Sequence, residues 1–360
     1  MQHRATQRAP EEVGVVGHQQ LRHLGVRVGE SCSLSIGWHG RTEDVRPEKS
    51  RRFHGGAARP SRMETRDVLF VDTCAAEPTG GVPVGLLPRG ADLTDDQLRA
   101  VADELAATVA VPDGDSLRVV APTGPREHHP AATIAALGVE HERGDRDVGE
   151  YAVSTAAGTV ETEVTTDGGV WVEQSPAAIS DADVEESRIG AALGVDPAAM
   201  RDVGADLPPS VLSVGVDALV APVNFLEHVS GASADPTALA AVADAADVDV
   251  VCPFTFDTLA ADAACHVRAF VPPGTRLGRR TIGLETPALP AVAGALVAQL
   301  FERGTIEDAA TSVEQGHFVD RPGRVHVEAG EGLRVGGHTV TGLDGSVTVP
   351  SAEDDDIIEV

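Results

Sequence analysis

The sequence predicts an α/β (α+β) fold of two pseudo-symmetric domains, in which each domain wraps a curved β-sheet around a central apolar helix. Strand patterns alternate with helix patterns from Arg66 onward. Two segments, at about 131–137 and 287–301, are instead apolar on every side and rich in small residues. A helix without a polar face must be buried all round. One such segment in each strand-rich half therefore indicates one sheet around each of two helices.

The first elements are read from short local patterns. Four consecutive apolar residues predict a buried strand at 68–71. Thr94 and Gln97 form a capping-box pattern, which predicts a helix that runs to about residue 106 with one apolar stripe. Residues 117–121 predict the next strand.

The middle of the chain contains a meander and several helix starts. Short alternating runs over 151–172, broken by glycines, predict a β meander. A helix over 184–193 is closed by Gly194. Asp-Pro pairs at 196–197 and 235–236 each place a capping residue before a proline, which is typical of the first turn of a helix.

The last elements are strands at 248–256 and 266–271 and a β-rich tail over 324–349. On this pattern we divide the chain into five parts. The parts are a disordered or spurious leader (1–62), an N-terminal domain (63–178), a C-terminal domain (179–330), a β tail that returns to the first domain (331–350) and an acidic tail (351–360).

The leader differs from the rest of the chain. It is rich in arginine, holds Lys49, the only lysine, and has no apolar period. The stretch after Arg51 and Arg52 is polar, which argues against a twin-arginine signal. Two interpretations stay open: Met63 is the natural start and the leader is translated upstream sequence, or the leader is a disordered basic tail.

Composition narrows the class of protein. Hydrophobic residues make up 42% of 360, enough for a core, and the four cysteines share no CxxC spacing, which suits a cytoplasmic protein. A formal charge of −28 repels phosphate backbones and acidic lipids, so we expect neither nucleic-acid nor membrane binding. The longest nearly apolar run, 288–301, is shorter than the ~20 residues of a membrane span.

Arginine is almost the only cation, against abundant Asp and Glu. We interpret this as a halophilic surface adapted to molar salt, where screening shortens the Debye length to ~3 Å. An ordinary acidic protein is the alternative, and the near absence of lysine favours the halophilic interpretation.

Five strings occur in an order and spacing that resemble the phenazine biosynthesis-like (PhzF-like) family, which has the diaminopimelate epimerase fold. Together they cover nearly all of 66–350. The strings are 69–72 with 77–81, the helix 93–105, 121–123 with 129–134, 268–272, and 314–316 with 321–323.

The resemblance implies a cofactor-independent isomerase or epimerase that moves a proton on a small carboxylic acid substrate. It also implies a homodimer and an active site, without cofactor or metal, in the cleft between the domains. Both central helices would point their N-termini into that cleft, where free N–H groups and the positive dipole end can hold a carboxylate.

The positions that carry the chemistry depart from the family pattern. Ala107 stands where the family has its acid/base Glu, and Thr286 stands where it has a second acid, an Asp. The family's Gly-Ser/Thr pair becomes Pro290 and Ala291. Neither Ala nor Thr transfers a proton near neutral pH. We still expect Thr286 to cap the second central helix, with Pro287 at its first position.

Three residues remain as candidates for proton transfer. His129 matches the family's His-Pro pair, with His128 in place of the preceding Gly, whereas an ungapped fit to the helix places Ala131 at that His. Glu285 and Glu104 are the other two, with a solvated helix face as the competing interpretation of Glu104. The residues expected to bind substrate are Thr286, Ala291 and Gly81.

Other clusters favour less specific interpretations. Three arginines within 274–283 either hold an anion or line a solvated loop. His128 and His129 are adjacent, so on a regular element they would face different ways, and we expect no metal site. Cys74 and Cys265 are expected to be small buried hydrophobic residues rather than a catalytic thiol pair.

Two functions of different classes stay open. The first is an isomerase or epimerase of the PhzF-like type with degraded acid/base motifs. The second is a catalytically inactive family member that binds a small ligand or a partner. The two are distinguished by whether His129, Glu285 and Glu104 share one cleft.

Overall fold

A computed structural model describes residues 64–204, 206–273 and 284–351. They belong to one compact unit that spans residues 58–360. The predictions made for the leader, for the arginines of 274–283 and for nearly all of the acidic tail concern residues outside this described part.

The first half contains eight strands and two helices among the described residues. They are β1 (Glu64–Thr73), β2 (Val82–Leu86), α1 (Asp95–Glu104), β3 (Thr108–Asp113), β4 (Ser116–Ala121), β5 (Gly124–Arg126), α2 (Pro130–Glu142), β6 (Gly149–Thr155), β7 (Gly158–Val164) and β8 (Val170–Gln174).

The second half adds five helices and eleven strands over the described residues. They are β9 (Ala178–Asp181), α3 (Glu186–Leu193), α4 (Pro197–Arg201), β10 (Ser210–Ser213), β11 (Asp217–Pro222), α5 (Leu226–Ser230), α6 (Pro236–Ala246), β12 (Val250–Thr255), β13 (Ala263–Val267), β14 (Ala269–Phe270), β15 (Glu285–Thr286), α7 (Pro290–Glu302), β16 (Ala310–Gln315), a 3-10 turn (His317–Val319), β17 (Gly323–Ala329), β18 (Leu333–Gly337) and β19 (Thr339–Val349).

The first central helix is α2, and it is buried all round, as its composition predicts. Ten consecutive residues from Pro130 to Val139 are buried. The helix packs against β1, β2, β3, β8 and β19, so a sheet curves around it. The helix continues to Glu142, beyond the apolar segment that the sequence pattern ended at about residue 137. Its last turn is polar and meets solvent, so the apolar pattern does not include it. The last strand, β19, pairs antiparallel with β1.

The second central helix is α7, which packs against β10, β17 and β18. The prediction that it begins at Pro287 with Thr286 as its cap is wrong. Thr286 pairs with Ala269 in the short β14–β15 ladder, so its backbone is committed to the sheet. The helix begins one turn later, with Leu289 at the N-cap and Pro290 at its first position. Either proline suits a first turn, and the sheet pairing decides between them.

Several local predictions are confirmed. Thr94 and Gln97 form both hydrogen bonds of a capping box, and Gly194 ends α3 in a left-handed conformation with φ +68°. The meander appears as the antiparallel β6–β7–β8. The strand predicted at 266–271 is divided into β13 and β14, because the Arg268 N–H bonds the Pro253 carbonyl at the break. None of the described helices is long and apolar enough to cross a membrane.

Candidate functional site

A cavity of about 110 Å³ lies where the N-termini of α2 and α7 meet. Both helices begin with a proline that lines it, Pro130 and Pro290. The remaining wall comes from the strands and turns that precede these helices. The other lining residues are Thr108, Ala121, Pro122, Thr123, Arg126, His128, His129, Val214, Gly215, Val216, Leu289 and Ala291.

On the α2 side, His129 is the capping residue of the helix. Its backbone is extended, with φ −152° and ψ 101°, and its Nδ1 accepts a hydrogen bond from the Ala132 N–H at 3.3 Å. An accepting Nδ1 carries no proton, so the neutral ring keeps its proton on Nε2. His129 therefore both stabilises the first turn of α2 and presents a proton-bearing imidazole at the cavity.

His128 lines the same cavity, although adjacent residues on a regular element face different ways. Residues 127–129 precede α2 and belong to no helix or strand, which removes that constraint. The Nε2 of His128 is buried and has no hydrogen-bond partner among the described residues. Burial lowers the pKa of His128, so its imidazole is neutral near pH 7.

On the α7 side, the cavity is apolar and the helix end has no capping side chain. Leu289 occupies the N-cap position and supplies no side-chain hydrogen bond. Its own N–H is held by Gln315 Oε1 at 2.7 Å, and the Ala291 carbonyl accepts from Gln174 Nε2 at 2.9 Å. These two bonds position the first turn of α7. The positive end of the helix dipole lies at this wall of the cavity.

The lining has no acidic side chain among the described residues, whereas the chain as a whole has a formal charge of −28. Its one guanidinium is that of Arg126 in β5, which donates to Thr123 Oγ1 at 3.2 Å. Thr108 adds a hydroxyl from the start of β3. Cationic and hydrogen-donating groups in a concave site without carboxylates favour an anionic ligand.

The candidate Glu285 does not line the cavity. It is 4% exposed and forms a buried ion pair with Arg268, whose Nη2 lies 2.6 Å from Glu285 Oε2. Arg268 Nη1 also donates to the carbonyls of Val229 and Ala232, at 2.8 Å each. The pair thus joins β14 and β15 to the segment that contains α5. Removing one partner of such a pair leaves an uncompensated buried charge, so its role here is structural.

The candidate Glu104 is also outside the cavity. It is the last residue of α1 and is exposed, as the solvated-face interpretation predicts. Ala107, where the resemblance expects a Glu, is fully buried directly before Thr108, which lines the cavity. Glu104 does not reach this wall.

Of the three residues expected to bind substrate, Ala291 lines the cavity, and Thr286 and Gly81 do not. Gly81 has φ +46°, and a Cβ there would lie 2.1 Å from the Thr73 carbonyl oxygen. Its N–H bonds the Pro322 carbonyl. Gly81 is thus required by the backbone of this turn.

The structure brings His129 and Ala291 together and adds groups that the sequence pattern did not single out. Arg126 lies between residues 121–123 and 129–134, the two parts of one string of the resemblance, and belongs to neither. Thr108 directly follows Ala107, where the resemblance expects a Glu. In the sequence, His128 differs from the Gly that the family pattern has before its His. This difference is the signal that could have identified His128 as a residue of the cavity.

Other titratable groups are placed away from this cavity. Cys74 and Cys265 are buried, as expected, and burial raises the pKa of each thiol to about 12. Within the described ranges, no three His, Cys, Asp or Glu side chains are grouped so that they could hold a metal ion.

Comparison with known proteins agrees with this architecture. A relative from Bacillus subtilis, described as the uncharacterized isomerase YfhB, is 25% identical over 296 residues, which cover 79% of this chain and 96% of that protein. The crystal structure of a Bacillus anthracis phenazine biosynthesis protein of the PhzF family superposes with a TM-score of 0.69 at 19% identity, covering 79% of this chain and 99% of the other. A predicted epimerase from Pseudomonas aeruginosa gives a TM-score of 0.63 at 21% identity, with 78% and 99% covered.

The structural similarities, at this level of identity, establish the diaminopimelate epimerase-like α+β fold. The family model described as phenazine biosynthesis-like protein matches residues 71–345, which include both central helices and the whole lining of the cavity. The chain therefore belongs to the phenazine biosynthesis-like (PhzC-PhzF) family.

Proposed function

We propose that the protein is a cofactor-independent isomerase or epimerase that moves a proton on the carbon next to the carboxylate of a small acid. The observation that carries this proposal is the cavity between the two helix N-termini. It holds two imidazoles, a guanidinium and two threonines, with no carboxylate among its described lining residues.

The substrate carboxylate binds against the first turn of α7 and near Arg126. The uncapped helix end and the guanidinium both favour negative charge, and a helix dipole contributes ~0.3–2 kcal/mol depending on burial. The apolar residues Val214, Val216 and Leu289 enclose the carbon chain. A cavity of this size and lining suits a compact acid of a few carbon atoms.

Removal of the proton next to a carboxylate places the electron pair on the carboxylate oxygens. The α7 dipole, Arg126 and His129 all lie at the wall of the cavity in which that charge develops. Hydrogen-bond donors prearranged for a developing oxyanion are typically worth a factor of ~10²–10³ each. His129 thus holds its proton on Nε2 and offers it to the oxygen that becomes more basic.

The test is hydrogen exchange in D₂O with a panel of small amino and hydroxy acids. We expect deuterium to enter at the α-carbon of at least one acid, and the same acid to raise the melting temperature. The matched control is the corresponding carboxamide, which we expect to do neither. Exchange of no acid in the panel contradicts the proposal. Binding without exchange favours an inactive ligand-binding protein.

A further inference from the structure

We propose that His128 is the base of this cavity, the group that takes the substrate proton and returns it. This inference rests on the proposed function and names a residue for it. His128 stands where the family resemblance expects a Gly, so this chain carries an imidazole at that position.

Few titratable groups line the cavity. Among the described residues that line the cavity, the titratable side chains are Arg126, His128 and His129. An arginine keeps its proton at all relevant pH values. The carboxyl groups at the positions of Ala107 and Thr286 are absent, and Glu104 and Glu285 lie elsewhere. Proton transfer in this cavity therefore depends on the two imidazoles.

The two imidazole rings differ in their hydrogen bonds. His129 Nδ1 accepts from the Ala132 N–H, so in the neutral ring Nε2 already carries the proton. Such a ring donates and has no lone pair available to act as a base. His128 has no bond of this kind at Nε2, which is buried without a partner among the described residues. A buried, unpaired ring nitrogen costs ~1–3 kcal/mol, and functional sites are where such groups persist.

His128 is neutral near pH 7. A base must be unprotonated before it acts, and burial disfavours the imidazolium form of this side chain. The cavity wall around His128 holds no carboxylate that would restore that charge. The neutral form is therefore ready to accept a proton at physiological pH.

The step balances without an oxidant or a cofactor. The lone pair of a His128 ring nitrogen takes the proton from the α-carbon, and the electron pair of the C–H bond moves onto the carboxylate. His128 becomes an imidazolium while the His129 Nε2–H hydrogen-bonds the carboxylate oxygen. His128 then returns the proton to a carbon of the substrate, and both rings are again neutral.

The experiment compares His128→Gln and His128→Gly with the wild-type chain, using an acid that the wild type exchanges. We expect the rate of deuterium uptake to fall by ~10²–10⁴, while the dissociation constant of the acid stays within about threefold. His228→Gln is the matched control, because His228 lies in α5 outside the cavity, and we expect wild-type exchange from it.

The possible failures are distinguishable. Exchange by both His128 variants within about threefold of the wild type overturns the inference and leaves the proposed function standing. A wild-type chain that exchanges no acid overturns the proposed function and this inference together. If the variants do not fold, the ring signals of His128 in the wild type decide, because addition of the exchanging acid must shift them. Unchanged His128 signals overturn the inference.

Discussion

The N-termini of α2 and α7 meet the same cavity with different chemistry. At α2 the first turn is capped by His129, and His128 stands beside it. At α7 the corresponding residue is Leu289, which supplies no side-chain cap. The two helices are alike in length and both begin with a proline, at Pro130 and Pro290. The difference in capping therefore comes from the residues immediately before each helix.

This difference suggests a division of labour within a pseudo-symmetric fold. In the mechanism that we propose, the α2 end holds the groups that handle protons, and the α7 end holds the charge of the substrate. A side-chain cap satisfies a helix N–H that would otherwise attract an anion. Capping one helix and leaving the other without a cap would give a symmetric frame an asymmetric site.

The largest expected effect comes from His129, where capping and chemistry can be separated. His129→Asn keeps an oxygen that accepts from the first turn, so we expect the free energy of unfolding to change by less than ~0.5 kcal/mol. The Nε2–H donor to the developing oxyanion is lost, so the rate of deuterium exchange should fall by ~10²–10³. Thermal melts and exchange in D₂O measure the two effects.

His129→Ala completes that comparison, because it removes both functions. We expect the same loss of exchange and, in addition, a destabilisation of ~0.5–2 kcal/mol from the lost cap. Exchange that survives in the Asn variant and fails only in the Ala variant would mean that His129 acts through helix stability alone.

Much of this asymmetric frame was predictable from sequence. The all-round apolar character of residues 131–137 predicted a buried central helix, because any exposed turn of that composition would leave apolar surface in water. The start of α7 was missed for a physical reason. Two prolines, Pro287 and Pro290, suit a first helical turn equally well, and the choice depends on the pairing of Thr286 with Ala269. Such a long-range pairing has no local signature.

The second largest effect is a loss of stability when Ala107, where the resemblance expects an acid, is replaced by Glu. Ala107 is fully buried, so Ala107→Glu places a carboxyl where no space or partner is provided. We expect a destabilisation of ~1–3 kcal/mol from the unpaired polar group, with no gain in exchange. Denaturant unfolding gives the first quantity. Glu104→Ala, on the exposed end of α1, is the matched control and should change stability by less than ~0.5 kcal/mol.

A faster exchange rate in Ala107→Glu with unchanged stability would contradict this expectation. It would mean that the cavity retains the geometry for a carboxyl acid and that proton handling is not confined to the histidines. The division between the two helix ends would then describe only part of the site.

The candidate site was less predictable than the fold. His129 and Ala291 were identified through the resemblance, because motif positions are preserved when chain topology is preserved. The position of Glu285 outside the cavity could not be predicted, since its burial and its pairing with Arg268 depend on strands that meet only in the folded chain. A carboxylate in sequence carries no mark that tells a structural ion pair from an acid/base group.

The third effect is a loss of affinity for the substrate when a side-chain cap is added to α7. Leu289→Asn supplies a capping oxygen and makes the α7 end resemble the α2 end. We expect the affinity for the substrate carboxylate to fall about tenfold, equivalent to ~1.4 kcal/mol, because the capping oxygen competes for the same N–H groups. Leu289→Ala removes the same apolar packing without adding an acceptor, so it serves as the control. Calorimetric titration with the exchanging acid distinguishes them, and equal losses in both variants would assign the effect to packing.

The smallest effect is expected at Arg126, the one guanidinium of the cavity wall. Its charge acts against a formal net charge of −28, which raises the cost of bringing any anion to this protein at low salt. Because Arg126 is only partly buried, its ion pair with a carboxylate should contribute ~0.2–1 kcal/mol. Arg126→Gln should therefore weaken binding of the acid by about 1.4- to fivefold at ~0.1 M salt.

Salt provides the internal control for that variant. At ~1 M the Debye length falls to ~3 Å, and the difference between wild type and Arg126→Gln should shrink, whereas the contribution of the enclosed α7 terminus should persist. Arg89→Gln, remote from the cavity and paired with Asp67, should leave affinity unchanged at both salt concentrations. If the Arg126 effect were undiminished in molar salt, the guanidinium would be acting by a direct, desolvated contact. Arg126 in β5 and the N-terminus of α7 would then contribute comparably to anion binding. The comparison of the α2 and α7 ends would have to add β5 as a third part of the site.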